Sequence, residues 1–147
     1  MYNECCILNK NLKGNNMTNF QDIFCNHVSE QVFKEVNPIM LAFIGDAVHT
    51  LYVRDRVVKS GNLLLKDYHK KSSNLCKASA QAEVLDRVLQ CLTENEKDIV
   101  RRARNVKLGH IAKNSDIETY KKATSFEALI GYLYLQGNFE RLNEILK

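Results

Sequence analysis

Residues 41–55 read LAFIGDAVHTLYVRD, and the fold turns on how this stretch is read. Leu41, Ile44, Val48, Leu51 and Tyr52 recur at the spacing of one helical stripe. Bordering that stripe is a face of different character. Asp46 lies beside Gly45, with Ala42 one turn before it and Thr50 one turn after, so the face is small enough for another backbone to approach closely. A lone ionised carboxylate in such a setting costs several kcal/mol unless it is paired or metal-bound. Two readings follow: a core aspartate satisfied by a helix end or an arginine, or a carboxylate that holds a metal ion.

Working outward, Asn37-Pro38 separates this helix from an earlier one. Proline disfavours helical geometry for the residue before it and suits the first turn of a new helix. The earlier helix is expected over Phe20–Val36, where Phe20, Ile23, Phe24, Val28, Val32 and Val36 keep helical spacing. The second runs from Pro38 to Lys59 and stops at Ser60-Gly61. After the apolar turn NLLLK, Ser72 or Ser73 caps a long helix with a buried stripe of Leu75, Ala78, Ala82, Leu85, Leu89 and Leu92. Thr93 and Glu96 form a capping box for a helix through Arg104, and Ser115 and Glu118 form another for a short helix. A last long helix covers Ser125–Leu135 before Gly137. Strand patterning is almost lacking, so the fold class is all-α, a helical bundle.

The 147 residues suit one domain, expected over 18–147 after a disordered polar tail at 1–17. A hydrophobic fraction of 45% and a charged fraction of 26% exclude fibrous and disordered classes. No apolar run reaches the roughly 20 residues of a membrane span, and the start of the chain lacks the apolar centre of a signal peptide. The expected location is the cytoplasm, with no membrane partner. Cys5, Cys6, Cys25, Cys76 and Cys91 show no zinc-ligand spacing and read as reduced thiols.

The net charge of +4 is local: between Ile99 and Lys122, seven basic side chains face two acids, Asp116 and Glu118. A clustered basic surface fits a phosphate backbone, and it equally fits a solvated face with no ligand. Glu127, in TSFEALIGYLYL, poses the same question as Asp46, because Ala123 and Gly131 flank it one turn away on either side. It is either the fourth member of a Thr124-Ser125-Phe126-Glu127 capping box or a second functional carboxylate. Two isolated acids on small-residue faces suit magnesium, which takes one or two carboxylates and completes its shell with water and phosphate oxygens. His49, His69 and Tyr120 read as packing or surface residues.

Four segments together resemble the ribonuclease III catalytic-domain family, and within it the small bacterial Mini-ribonucleases III: AFIGDAV at 42–48, HKKSS at 69–73, ARNVK at 103–107 and KNSDIETYKKATSFEALIGYLYL at 113–135. The likeness runs from about Phe20 to the end of the chain. It implies the endonuclease-domain helical bundle and places the family's essential metal-site acids on Asp46 and Glu127. The larger enzymes build the site from four acids, and the remaining two positions are here Ala42 and Thr124; the small subgroup shares this reduced set.

The resemblance also implies a magnesium-dependent endoribonuclease acting on double-stranded RNA, with the stem of precursor large-subunit (23S) ribosomal RNA as substrate. It implies a homodimer whose two centres face one duplex. With no double-stranded-RNA-binding domain expected, the grip falls on Lys70, Lys71, Arg104, Lys107, Lys113 and Lys121, reading duplex shape through phosphates and 2′-hydroxyls. The rival from another class is a non-catalytic helical RNA-binding or ribosome-associated protein. A third reading makes Tyr132 and Tyr134 part of a partner interface.

Overall fold

Asn37 and Pro38 act as their chemistry requires. The Asn37 side chain accepts a hydrogen bond from the Ile39 N–H at 3.0 Å, and Pro38 occupies the first turn, where its missing donor costs nothing. The computed structural model describes residues 28–61, 64–106 and 116–147. The expected tail at 1–17 and the start of the first helix lie outside these residues. Its described end differs from the expectation of one helix over Phe20–Val36: Val28 and Ser29 are not helical, the Val28 N–H bonding the Leu135 carbonyl at 2.8 Å, and a new helix, α1, spans Glu30–Glu35 with Val36 extended after it. The next, α2, spans Pro38–Lys59 as expected and ends where Gly61 takes a φ of 73°, a left-handed conformation open to glycine.

The single long helix expected from Ser72 or Ser73 is instead two. α3 spans Leu65–Cys76, so both serines lie inside it rather than capping it, and α4 spans Ala78–Val88. Lys77 alone separates them, with extended φ and ψ of −68° and 151°. That one residue lets α3 lie against α2 while α4 turns onto the core. Leu75 and Leu89, counted in one buried stripe, are exposed as a result. A 3₁₀ turn at Leu89–Cys91 leads to α5, Glu94–Arg104, and the Thr93 and Glu96 capping box is present in both directions.

A second difference concerns the chain around Glu127. The expected short helix and the helix from Ser125 are one continuous element, α6, Ile117–Leu135, capped by Asp116. Neither glycine nor proline interrupts residues 117–125. The Ser125 hydroxyl, rather than capping, donates to the Lys121 carbonyl one turn back at 2.8 Å. Glu127 is therefore deep inside a helix, and a capping role for it is excluded. After Gly137, with φ of 71°, a further helix that periodicity did not signal, α7, spans Phe139–Leu146.

From Ala123 onward α6 is the buried centre, packed on α2, α4 and α5, while its first turns, with Glu118, Lys121 and Lys122, reach the surface. From Ala123 to Tyr134 every residue is buried except Glu127. Phe126, Leu129, Ile130 and Leu133 are almost fully enclosed, each contributing about 1.5–3 kcal/mol by burial. Tyr132 meets Phe33 edge-on at 4.8 Å and donates to the Glu30 carboxylate, so it serves the interior of the chain, while Tyr134, 8% exposed, packs on Phe139 at the wall of an apolar groove. Among the described residues there is no strand, and no helix is long and apolar enough to cross a membrane.

Candidate active site

The site is made by two glycines. Where α2 crosses α6, a Cβ built on Gly45 would stand 1.8 Å from the Glu127 carbonyl oxygen, and one on Gly131 would stand 2.0 Å from the Leu41 carbonyl oxygen. Both obstacles are backbone. The two helices touch main chain to main chain, a contact that only glycine permits at these positions. The sequence placed Gly45 beside Asp46 and Gly131 one turn after Glu127, so the crossing that the glycines allow brings the two carboxylates to one place.

Their proximity is visible in their electrostatics. Burial, and then the charge of Asp46, push the Glu127 carboxyl up to about 7 from an ordinary 4.5, against the opposing hydrogen bond from Gln81. Asp46 itself is exposed, so its apolar neighbours do not enclose it and no desolvation cost of a core aspartate arises. Glu127 is the half-buried member. Ala42 and Thr124, the two neighbouring positions at which the resemblance would have offered further acids, are 5% and 7% exposed. Among the described residues no cluster of three or more His, Cys, Asp or Glu side chains forms. Two repelling carboxylates, one open to solvent, fit a hard cation that takes its other ligands from water and phosphate.

Around the pair lie residues that sequence reasoning did not assign to it. Gln81 is 2% exposed, and its Nε2 lies 3.4 Å from Nδ1 of His49, itself buried and edge-on to Phe126 at 5.1 Å. Burial pushes the His49 imidazole down, with Asp46 opposing, so a neutral packing histidine is what the site contains. The signal for Gln81 was present: it sits on the stripe of Ala78, Ala82 and Leu85, as its one polar member. Cys76, whose thiol burial pushes up, accepts a long hydrogen bond from Thr50 at 3.9 Å.

The expected RNA-binding cations have several fates. Lys70 and Lys71 are exposed on α3, with Lys71 donating to Ser60 at 3.3 Å. Arg104 is exposed but paired with Glu118, and Lys121 is half-buried. Lys107 and Lys113 lie outside the described residues. Others of the basic segment are engaged within the fold. Lys122 pairs with Asp86 at 2.8 Å, Arg101 pairs with Asp98, and Arg102 donates to the Phe33 carbonyl at 2.7 Å, tying α1 to α5. The local excess of positive charge is therefore partly neutralised by Asp86 and Asp98, which the count along the chain left out.

The raised Glu127 carboxyl has a measurable consequence for stability. Its folded value of about 7 exceeds the ordinary 4.5, so the folded protein holds this proton more tightly than the unfolded chain. The resulting stability is fully present below about 4.5 and is lost as pH rises through about 7. Measured with a chelator present, Glu127→Gln is expected to be more stable than the parent at pH 8 by about 1–2 kcal/mol, a figure reduced for partial exposure, and equal to it near pH 4. Denaturant unfolding at both pH values checks this. A difference independent of pH would show that the carboxyl titrates normally.

The sequence profile of the Ribonuclease III domain matches residues 40–138. A Mini-ribonuclease 3 of Thermoanaerobacter sp. (strain X514) is 49% identical over 112 residues, covering 76% of this chain and 79% of the relative. The Mini-ribonuclease 3 of Staphylococcus aureus (strain NCTC 8325 / PS 47) is 39% identical over 132 residues, covering 88% and 92%. Among solved structures, a crystal structure of a Fusobacterium nucleatum protein superposes with a TM-score of 0.72 at 28% identity, covering 80% of this chain and 93% of that one.

Proposed function

Because this chain belongs to the ribonuclease III family and is an endoribonuclease, we propose that it cleaves double-stranded RNA with magnesium held by Asp46 and Glu127, and that its substrate is the stem of precursor 23S ribosomal RNA. The observation that carries the catalytic part is the pairing of these two acids at the glycine crossing, where the charge of Asp46 raises the cost of ionising Glu127. Family membership favours catalysis over the rival of a non-catalytic RNA-binding or ribosome-associated protein.

Each residue has a task in this reading. Asp46, exposed, meets the solvent side, where a phosphodiester can arrive. Glu127, half-buried and bonded to Gln81, is the fixed member of the pair. Asp46 and Glu127 would hold magnesium, which would supply a water of lowered pKa and neutralise charge on the scissile phosphate. Attack by water with departure of the 3′ oxygen leaves a 5′-phosphate and a 3′-hydroxyl. Lys70, Lys71, Arg104, Lys107, Lys113 and Lys121 are the residues that hold the duplex backbone, by charge and shape rather than by base sequence.

A homodimer in the cytoplasm completes the reading. Phe43, Met40 and Leu51 on α2 are 82%, 66% and 61% exposed, and Ile44, Ala47, Val48, Leu51, Phe139 and Leu142 line an adjoining apolar groove of about 490 Å³. An exposed apolar patch of this kind supports pairing with a second copy. One gel and one mass measurement test the whole. A long RNA duplex is cut with magnesium and left intact with chelator, and the protein sediments as a dimer. Cutting that persists in chelator overturns the metal role, and a monomer mass at working concentration overturns the shared groove.

A further inference from the structure

Gln81 is a buried primary amide on the apolar face of α4, where a polar group costs free energy unless its hydrogen-bonding atoms are engaged. Both of its described partners come from other helices. His49 of α2 presents Nδ1 at 3.4 Å from Nε2, and the amide lies close enough to the carboxyl of Glu127 on α6 to favour its charged form against burial. The imidazole cannot swing away, being 5% exposed and edge-on to Phe126 at an interplanar angle of 88°. Neutral by burial, it keeps a lone pair for the amide N–H. One chain of contacts, His49 to Gln81 to Glu127, thus spans all three helices around the acid pair.

Glutamate has three rotatable side-chain bonds, and ordering such a side chain costs conformational entropy. Without a fixed partner, Glu127 would meet that cost whenever it ligated a cation. We infer that Gln81 is a positioning residue, whose amide, anchored on His49, sets the Glu127 carboxylate in the orientation that allows it to share one divalent cation with Asp46. This rests on the metal role proposed for the acid pair. Outer partners of metal ligands act in this way, and their loss weakens metal binding by about 10- to 100-fold.

The test measures Mn²⁺ binding to the full chain without RNA, from the electron paramagnetic resonance signal of the free ion. Gln81→Met, which keeps length and removes the donor, is expected to raise the dissociation constant about tenfold. The magnesium concentration for half-maximal cleavage should rise in parallel, while the rate at saturating magnesium stays near that of the parent. A folded Gln81→Met protein with unchanged Mn²⁺ binding and magnesium requirement overturns the positioning role and leaves Gln81 as a packing residue. Should Gln81→Met fail to fold, His49→Phe decides through the same readouts, since it removes the anchor and leaves Gln81 in place. Asp46→Asn distinguishes the two levels: if it binds Mn²⁺ like the parent, the metal role itself fails, whereas if it loses binding while Gln81→Met keeps it, only the positioning role fails.

Discussion

Replacing Asp46 by asparagine is expected to lower cleavage of duplex RNA by about a thousandfold or more, equivalent to about 4 kcal/mol of lost transition-state stabilisation. The two side chains have the same shape, so what is removed is charge. Asp46 is exposed, hence the exchange leaves no buried group unpaired, and it relieves repulsion with Glu127. Helicity should be unchanged and stability equal or slightly higher. Duplex binding should persist, because in the proposed arrangement the phosphates are held by the lysines and Arg104. A gel-shift assay beside a cleavage time course separates the two properties. Cutting by Asp46→Asn at the parent rate would remove this residue from the mechanism, and loss of binding together with cutting would place it in the grip on RNA.

How much of this was legible before the fold was known differs from residue to residue. The start and end of α2 were, because Asn37-Pro38 and Ser60-Gly61 are local signals with local causes. So was the capping box at Thr93 and Glu96. The break at Lys77 was not, since a lysine in extended conformation between two helices carries no local mark; only the different partners of α3 and α4 require it. The continuity of α6 was missed for the opposite reason. Thr124 and Ser125 are good capping residues in isolation, and burial of the surrounding apolar side chains outweighed that preference. The acid pair was legible as two odd carboxylates on small faces. That Asp46 is the open one and Glu127 the half-buried one depended on how α2 and α6 cross. Gln81 could have been found by asking why one member of an apolar stripe is polar.

Gly45→Ala provides a test of the crossing itself, because two effects of opposite sign compete. Inside a helix, glycine to alanine ordinarily stabilises by about 1 kcal/mol, through backbone entropy. Here the new methyl would lie 1.8 Å from the Glu127 carbonyl oxygen and 2.7 Å from the Gly131 nitrogen. Main-chain atoms cannot rotate aside as a side chain can, so α2 and α6 must separate by roughly 1 Å or more to restore ordinary contact, and an overpacked core typically loses 1–3 kcal/mol or more. The clash should win. Gly45→Ala is expected to be less stable than the parent by about 3 kcal/mol, a fall in Tm on the order of 10 °C. Gly131→Ala, facing the Leu41 carbonyl oxygen at 2.0 Å, should behave alike. Since the same separation draws Asp46 away from Glu127, the folded fraction of either variant should also cleave more slowly at fixed magnesium. Denaturant unfolding gives the first quantity, and cleavage under conditions where the variant is folded gives the second. If Gly45→Ala proved more stable than the parent, the helix preference would have won, and the backbone contact that brings the two acids together would not exist.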